Sequence, residues 1–140
     1  MGALVFPLFV LVVFACADDP VSQVLLNYQE ILKANPMPAG QTTQAIKVAG
    51  NDTATVSILR MAPGAEVKPH YHKTYSETVY VIEGNGEMTL EGKVSQIKPG
   101  SVHFNPIGKV HATKNTGSTD LVALQIFTPA WKEPDRVFAP

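Results

Sequence analysis

The sequence predicts an all-β domain whose short antiparallel strands form a barrel or a sandwich. From Ala45 onward, short runs of β-branched and aromatic residues are separated by residues that favour turns. The turns include Pro63-Gly64, Gly84-Asn85-Gly86 and Lys98-Pro99-Gly100. Many short strands at close spacing are typical of an antiparallel sandwich or barrel. A chain of 140 residues is long enough for one such domain and too short for two.

Seven strands are expected in this region from their composition and from the turns that bound them. They cover residues 53–61, 78–82, 87–90, 94–97, 101–104, 111–114 and 121–127. The barrel as a whole is assigned to residues 45–130. The tail, residues 131–140, carries two prolines and is expected to wrap around the outside.

A helix and a connector are expected before the barrel, over residues 18–44. Asp19-Pro20 is typical of a helix start. Apolar residues then recur at helical spacing between positions 21 and 32, and Asn35-Pro36 ends the pattern. We expect this amphipathic helix to pack on the outside of the barrel.

Residues 1–17 resemble a secretory signal peptide. They contain no charged side chain and end in Ala15-Cys16-Ala17, a pattern typical of a cleavage site. Cleavage after Ala17 would give a secreted or periplasmic protein without membrane contact, and without disulfides because Cys16 is the only cysteine. Two alternatives stay open. Cys16 can be the acylated residue of a lipoprotein, or the segment can be a retained anchor, against which Pro7 and the short apolar stretch argue.

The charge of the chain argues against two classes of partner. The formal net charge is -1, the isoelectric point is near 6.4, and the lysines and arginines are scattered along the sequence. Such a chain has no basic field to attract nucleic acid or an anionic membrane surface. We therefore expect a small-molecule substrate as the partner.

The candidate chemistry lies in the histidines. His70 and His72 are separated by one residue, so in a strand both imidazoles project from the same face. Glu77 follows after a short turn and shares its strand face with two valines. A same-face pair of histidines beside a carboxylate can bind a divalent metal ion. His111 joins this set if it lies on a strand next to the pair.

These residues form a pattern that is similar to the two conserved motifs of the cupin superfamily. The first motif is matched at every spacing by Gly64, His70, His72, Glu77 and Gly84. The second is matched in the same way by Gly100, Pro106, Gly108, His111 and Asn115. The resemblance covers residues 45–130. It implies an antiparallel double-stranded β-helix, the jelly-roll barrel of small single-domain cupins.

The resemblance also implies that His70, His72, Glu77 and His111 bind one divalent transition metal ion. Three imidazoles and one carboxylate suit Fe, Mn, Ni, Co, Cu or Zn, and the ligands alone do not identify the metal. In an octahedral arrangement they leave two adjacent positions open, as a working site requires. Glu77 is also the candidate catalytic residue, as a carboxylate that can accept a proton beside the substrate.

Two residues outside the motifs are of interest. His103 is expected to be a polar strand residue or a partner of a metal ligand rather than a fifth ligand. Arg60 precedes the first motif and is expected on the solvated surface. It would hold a substrate carboxylate only if it faced the barrel.

The sequence supports a metal-binding barrel more firmly than any single reaction. The leading hypothesis is a metal-dependent enzyme, an oxygenase or a related lyase or isomerase, that acts on a small and largely apolar organic molecule in a dry pocket. The alternatives are a module that binds a metal or small ligand without turnover, and a structural barrel. Because such barrels commonly pair through their outer sheets, a homodimer is expected.

Overall fold

The computed structural model describes residues 25–131 and 135–139, which form one helix and ten strands. The elements are α1 (Tyr28–Ala34), β1 (Thr43–Gly50), β2 (Thr55–Met61), β3 (Glu66–His72), β4 (Ser76–Glu83), β5 (Gly86–Leu90), β6 (Lys93–Ile97), β7 (Val102–Asn105), β8 (His111–Asn115), β9 (Leu121–Thr128) and β10 (Arg136–Phe138). The expected signal peptide and the expected helix start at Asp19-Pro20 lie outside the described residues.

The strands form two five-stranded antiparallel sheets. Sheet A has the order β1-β2-β9-β4-β7, and sheet B has the order β10-β3-β8-β5-β6. Neighbours such as β2 and β9, or β3 and β8, are distant in sequence, as in a double-stranded β-helix. The predicted all-β jelly-roll class is therefore confirmed.

All seven expected strands are present, with ends within two residues of the predicted positions. The structure adds β1, β3 and β10. Residues 43–44 were expected in the connector but begin β1, which pairs with β2. In the tail, which was expected to wrap around the outside, Arg136–Phe138 form β10, and this strand pairs with β3 at the edge of sheet B.

The helix is shorter than expected. Leu25, Leu26 and Asn27 are not helical, although they lie within the predicted helical pattern. The Asn27 side chain accepts hydrogen bonds from the backbone N–H groups of Gln29 and Glu30, so it caps a helix that begins at the next residue. No residue of α1 is buried. The Tyr28 hydroxyl donates to the Glu83 carboxylate at 2.6 Å and ties the helix to β4.

Arg60 does not face the space between the sheets. Its guanidinium donates to the backbone oxygen of Asn35 at 3.0 Å and to the side-chain oxygen of Gln44 at 2.8 Å. These bonds connect β2 to β1 and to the end of α1. Arg60 therefore has a structural role, and the conditional prediction that it binds a substrate carboxylate is not supported.

The hydrophobic core lies between the sheets. It comprises Leu59, Met61, Ala65, Val79, Val81, Met88, Ile97, Leu121 and Ala123. Asn115, which has no exposed surface, donates from its side-chain amide to the backbone oxygens of Met61 and Thr119 and accepts from the N–H of Gly117. This motif asparagine holds the turn after β8 in place. Among the described residues, no helix has the length and apolar character needed to span a membrane.

Candidate metal centre

Sheet B brings three histidines together. His70 and His72 project from the same face of β3, and both are buried. His111 begins β8 and is the direct cross-strand partner of His70. The imidazole centroid of His111 lies 4.3 Å from that of His70 and 5.2 Å from that of His72. The prediction that these three side chains converge is confirmed.

The local structure of β3 explains this convergence. Pro69 lies inside the strand, where the pairing of β3 with β8 is irregular between Val67 and His70. Because proline has no N–H to donate, it fits a strand at such an irregularity. Regular pairing resumes at His70, opposite His111, and this register fixes the two imidazoles side by side.

Each of the three imidazoles uses its Nδ1 atom for a hydrogen bond. The acceptors are the Lys68 backbone oxygen for His70 at 2.7 Å and the Lys109 backbone oxygen for His111 at 2.9 Å. For His72, the acceptor is a carboxylate oxygen of Asp135 at 3.1 Å. Such bonds favour the tautomer in which Nδ1 carries the proton and Nε2 has the free lone pair. The three histidines are thus prepared to bind through Nε2.

The geometry and chemistry of this group fit a divalent transition metal. Within the described residues, one ligand atom from each of His70, His72 and His111 can be chosen so that all lie within 4.8 Å of one another. Nε2 of His111 is buried without a hydrogen-bond partner in this part of the chain. Burial lowers the pKa of His70 to about 4 and also lowers the pKa of His72. Both imidazoles are therefore neutral at pH 7, as metal ligands must be.

Glu77 lies close to this group but is not one of its three members. It is buried on β4 of sheet A, and its Oε2 atom is 3.3 Å from Nε2 of His111. Asn105 and Gln125 donate hydrogen bonds to its two carboxylate oxygens. Burial alone would raise the pKa of Glu77, but the adjacent His111 ring and the hydrogen bond from Asn105 lower it to about 2. Glu77 is therefore an ionised carboxylate, and its role as the fourth ligand stays a prediction.

Asp135 is a site residue that no sequence motif predicts. It lies just before β10, and besides His72 it accepts from the N–H groups of Lys73 and Thr74 and from the Thr74 hydroxyl. Burial opposes its ionisation, but the bonds from Thr74 and Tyr75 outweigh this and lower the pKa of Asp135 to about 2. No local sequence signal connects Asp135 with His72, which is 63 residues earlier.

The candidate ligands line a cavity of about 450 Å³ between the two sheets. Sheet B contributes the three histidines, and sheet A contributes Glu77 together with apolar residues such as Val79, Val81 and Ala123. The confirmed part of the prediction is that Glu77 and the two valines share one face. The polar residues His103 and Gln125 also line the cavity, so its wall is not apolar throughout, and the expectation of a dry pocket stays a prediction.

A double-stranded β-helix with three ligand-ready imidazoles in one cavity defines a jelly-roll domain with a candidate metal centre. The cupin-domain family model matches residues 57–127, which is half of the chain. The chain therefore belongs to the cupin family, as the motif resemblance implied.

Three relatives show how far sequence similarity extends. An uncharacterized protein of Aquifex aeolicus is 36% identical over 87 residues, which are 62% of this chain and 71% of the relative. The oxalate-binding protein of Thermotoga maritima is 37% identical over 68 residues, 49% of this chain and 56% of the relative. The 5-nitrosalicylic acid 1,2-dioxygenase of a Bradyrhizobium species is 32% identical over 81 residues, 51% of this chain and 39% of the relative. The chain thus spans about half the length of the latter two relatives.

A solved structure supports the fold over nearly the whole chain. The double-stranded β-helix protein of Klebsiella pneumoniae superimposes with a TM-score of 0.73 at 20% identity. The superposition covers 88% of this chain and 97% of the other. At this level of identity the likeness supports the fold alone.

Proposed function

We propose that this chain is an exported metal-dependent enzyme, an oxygenase or a related lyase or isomerase, that acts on a small organic molecule. One divalent transition metal ion would bind to His70, His72, His111 and Glu77. The observation that carries the proposal is the set of three buried imidazoles whose Nδ1 atoms are all engaged and whose ligand atoms lie within 4.8 Å of one another. Export rests only on the resemblance of residues 1–17 to a signal peptide.

The residues around the centre define what each can contribute. A divalent metal bound there would supply Lewis-acid chemistry at a substrate oxygen. Val79, Val81 and Ala123 of sheet A would contact hydrocarbon and exclude water from the reacting atoms. Glu77 is the candidate proton acceptor. To accept a proton, one of its carboxylate oxygens would give up its hydrogen bond from Asn105 or Gln125. Those two hydrogen bonds stabilise the ionised form of Glu77. This favours metal binding by the carboxylate but makes it a weaker base.

Two relatives support a small-molecule function. One is named for binding oxalate and the other for the dioxygenation of 5-nitrosalicylic acid, and both molecules are small and rich in oxygen. The name of the oxalate-binding protein also favours a second candidate function, in which this chain binds a metal or a small ligand without turnover. The two candidates share the metal centre and differ in catalysis.

The test combines metal content with oxygen consumption. Elemental analysis of protein purified from its native host should give about one transition metal ion per chain, and this ion should be lost in His111→Ala. The native protein should consume oxygen with simple phenolic or diketone substrates, and His111→Ala should not. Bound metal without turnover over a broad panel of oxygenase, lyase and isomerase substrates would favour the binding module. Native protein without metal would contradict both candidates.

A further inference from the structure

A row of polar side chains crosses sheet A next to the candidate metal centre. Val79 of β4 is the cross-strand partner of His103 on β7 and of Gln125 on β9. The three residues therefore lie side by side, and all three line the cavity. His103 and Gln125 thus place polar side chains on either side of Val79. The rest of the cavity wall formed by sheet A consists largely of aliphatic residues.

Several atoms in this row lack hydrogen-bond partners. Both ring nitrogens of His103 and the side-chain oxygen of Gln125 are buried without a partner among the described residues. A buried polar atom without a partner costs about 1–3 kcal/mol, so a protein seldom keeps three together unless something else binds them. Burial also lowers the pKa of His103, so its neutral ring offers one donor and one acceptor.

The backbone positions of this row lie one layer away from Glu77, although the Gln125 side chain reaches back to donate to the Glu77 carboxylate. Glu77 and Asn105 are cross-strand partners, and Val79 and His103 form the next inward-facing pair along the same two strands. A strand rises about 3.3 Å per residue, so the two rows are about 7 Å apart. A molecule of that length can contact the metal centre at one end and His103 at the other.

We propose that His103 forms a binding subsite for a neutral hydroxyl or carbonyl group of the substrate, with the unpaired Gln125 oxygen as a polar group between this subsite and Glu77. This inference rests on the function proposed above. The substrate would be a small acid or phenol with an anionic oxygen at the metal centre and a second oxygen function about 7 Å away. It would bind at the metal end as an anion, because three neutral imidazoles, one carboxylate and a divalent ion leave a net positive charge.

The charges that line the cavity favour a neutral group at the subsite. Among the lining residues in the described part of the chain, only Arg136 carries a full positive charge, and it lies on β10 of sheet B. His103 is on the opposite sheet, where Val79, Val81 and Ala123 would contact the carbon skeleton between the two oxygen functions. A second carboxylate at His103 would be desolvated without a cation, whereas a hydroxyl group would gain a donor and an acceptor.

Two probes of matched shape test this subsite in the zinc-loaded full chain. Benzoate offers a carboxylate alone, and 4-hydroxybenzoate adds a hydroxyl group at about the required distance. Calorimetric titration of the wild type should show about tenfold tighter binding of 4-hydroxybenzoate. In His103→Leu the two affinities should become equal, while benzoate affinity and zinc content stay close to the wild-type values. His103→Gln, which keeps a donor and an acceptor, should retain part of the preference.

A surface variant and a spectroscopic measurement complete the test. Gln96→Leu changes an exposed glutamine of β6 and should leave both affinities unchanged. In the wild type, the ¹⁵N shifts of the His103 ring should move with 4-hydroxybenzoate and not with benzoate, a result that does not depend on the folding of any variant. Equal affinities in the wild type, or a preference that survives in His103→Leu, would overturn the subsite alone. Failure of both probes to bind the zinc-loaded protein would likewise overturn the subsite, whereas failure of the chain to take up zinc would overturn the metal centre as well.

Discussion

At the scale of single residues, the partners of the imidazoles prepare the centre. His70 and His111 use backbone oxygens for this purpose, whereas His72 uses the carboxylate of Asp135. A carboxylate partner fixes the orientation of the ring and increases the basicity of the ligand nitrogen. Asp135 therefore positions His72 without being a ligand candidate itself.

Replacement of Asp135 by asparagine tests this role. Asp135→Asn keeps the shape of the side chain but removes its charge, so we expect metal affinity to fall by about 10- to 100-fold with the fold retained. Competition with a chelator measures the affinity. Asp120→Asn, at an exposed position, is the matched control and should bind metal like the wild type. Unchanged affinity in Asp135→Asn would show that the carboxylate does not act on His72.

Glu77 can be tested in a similar way. Glu77→Gln should retain part of the metal, because the three histidines remain, but any step that moves a proton to Glu77 should slow by about 100-fold or more. The measurement is the turnover rate per bound metal, which separates metal loss from catalytic loss. A rate equal to that of the wild type would exclude Glu77 as the proton acceptor.

The candidate site could be predicted from the sequence only where its residues belong to a local pattern. The spacing of His70 and His72 and the position of His111 within the second motif predicted their convergence. Asp135 and His103 belong to no such pattern. Their positions depend on the pairing of β10 with β3 and of β7 with β4, which are long-range contacts that a single sequence does not reveal.

At the scale of elements, β5 depends on a glycine. Gly86 begins β5 and lies so close to β8 that a Cβ atom there would collide with the backbone oxygen of Lys114. The contact joins two backbones, so no side chain can move aside to relieve it. A side chain at this position would force β5 away from the strand that carries His111.

Gly86→Ala should therefore destabilise the protein strongly. We expect the free energy of unfolding, measured by urea denaturation, to fall by about 3 kcal/mol. Gly92→Ala is the control, because Gly92 has a positive φ of 78° but no atom within 4 Å of an added Cβ. It should cost about 1 kcal/mol through backbone strain alone. Equal losses in the two variants would contradict the argument from close packing.

Elements with a regular pattern were predicted well, and the missed ones have physical explanations. β1 has no fully buried residue, so it lacks the row of buried apolar side chains that indicates a strand in the sequence. β10 has only three residues and exists because β3 offers it a free edge. The helix pattern continued through Leu25 and Leu26, but the cap at Asn27 determines where α1 begins.

At the scale of the whole molecule, the outer face of sheet A exposes an apolar patch. Tyr80, Val102 and Phe104 are 45%, 65% and 54% exposed, and they lie on the adjacent strands β4 and β7. Contiguous exposed apolar side chains of this kind are typical of interaction surfaces. The patch therefore supports the expected homodimer, which stays a prediction.

Sedimentation velocity tests the dimer directly. The wild type should sediment as a dimer, and the double variant Val102→Glu with Phe104→Glu should be monomeric, because burying two carboxylates in the interface is unfavourable. The control is Val94→Glu, which changes an apolar residue that is 55% exposed on β6 of sheet B. This variant protein should remain dimeric. A monomeric wild type would contradict the prediction, as would a dimeric double variant.

The division of the cavity between two sheets has a consequence for how this protein can change. The three histidines belong to one sheet, whereas His103, Gln125 and the aliphatic wall belong to the other. Substitutions at His103 or along that wall can alter which molecule is accepted while the imidazole cluster persists. The architecture thus allows selection, in nature or in the laboratory, to diversify specificity along the wall around Glu77 on sheet A without rebuilding the imidazole cluster of sheet B.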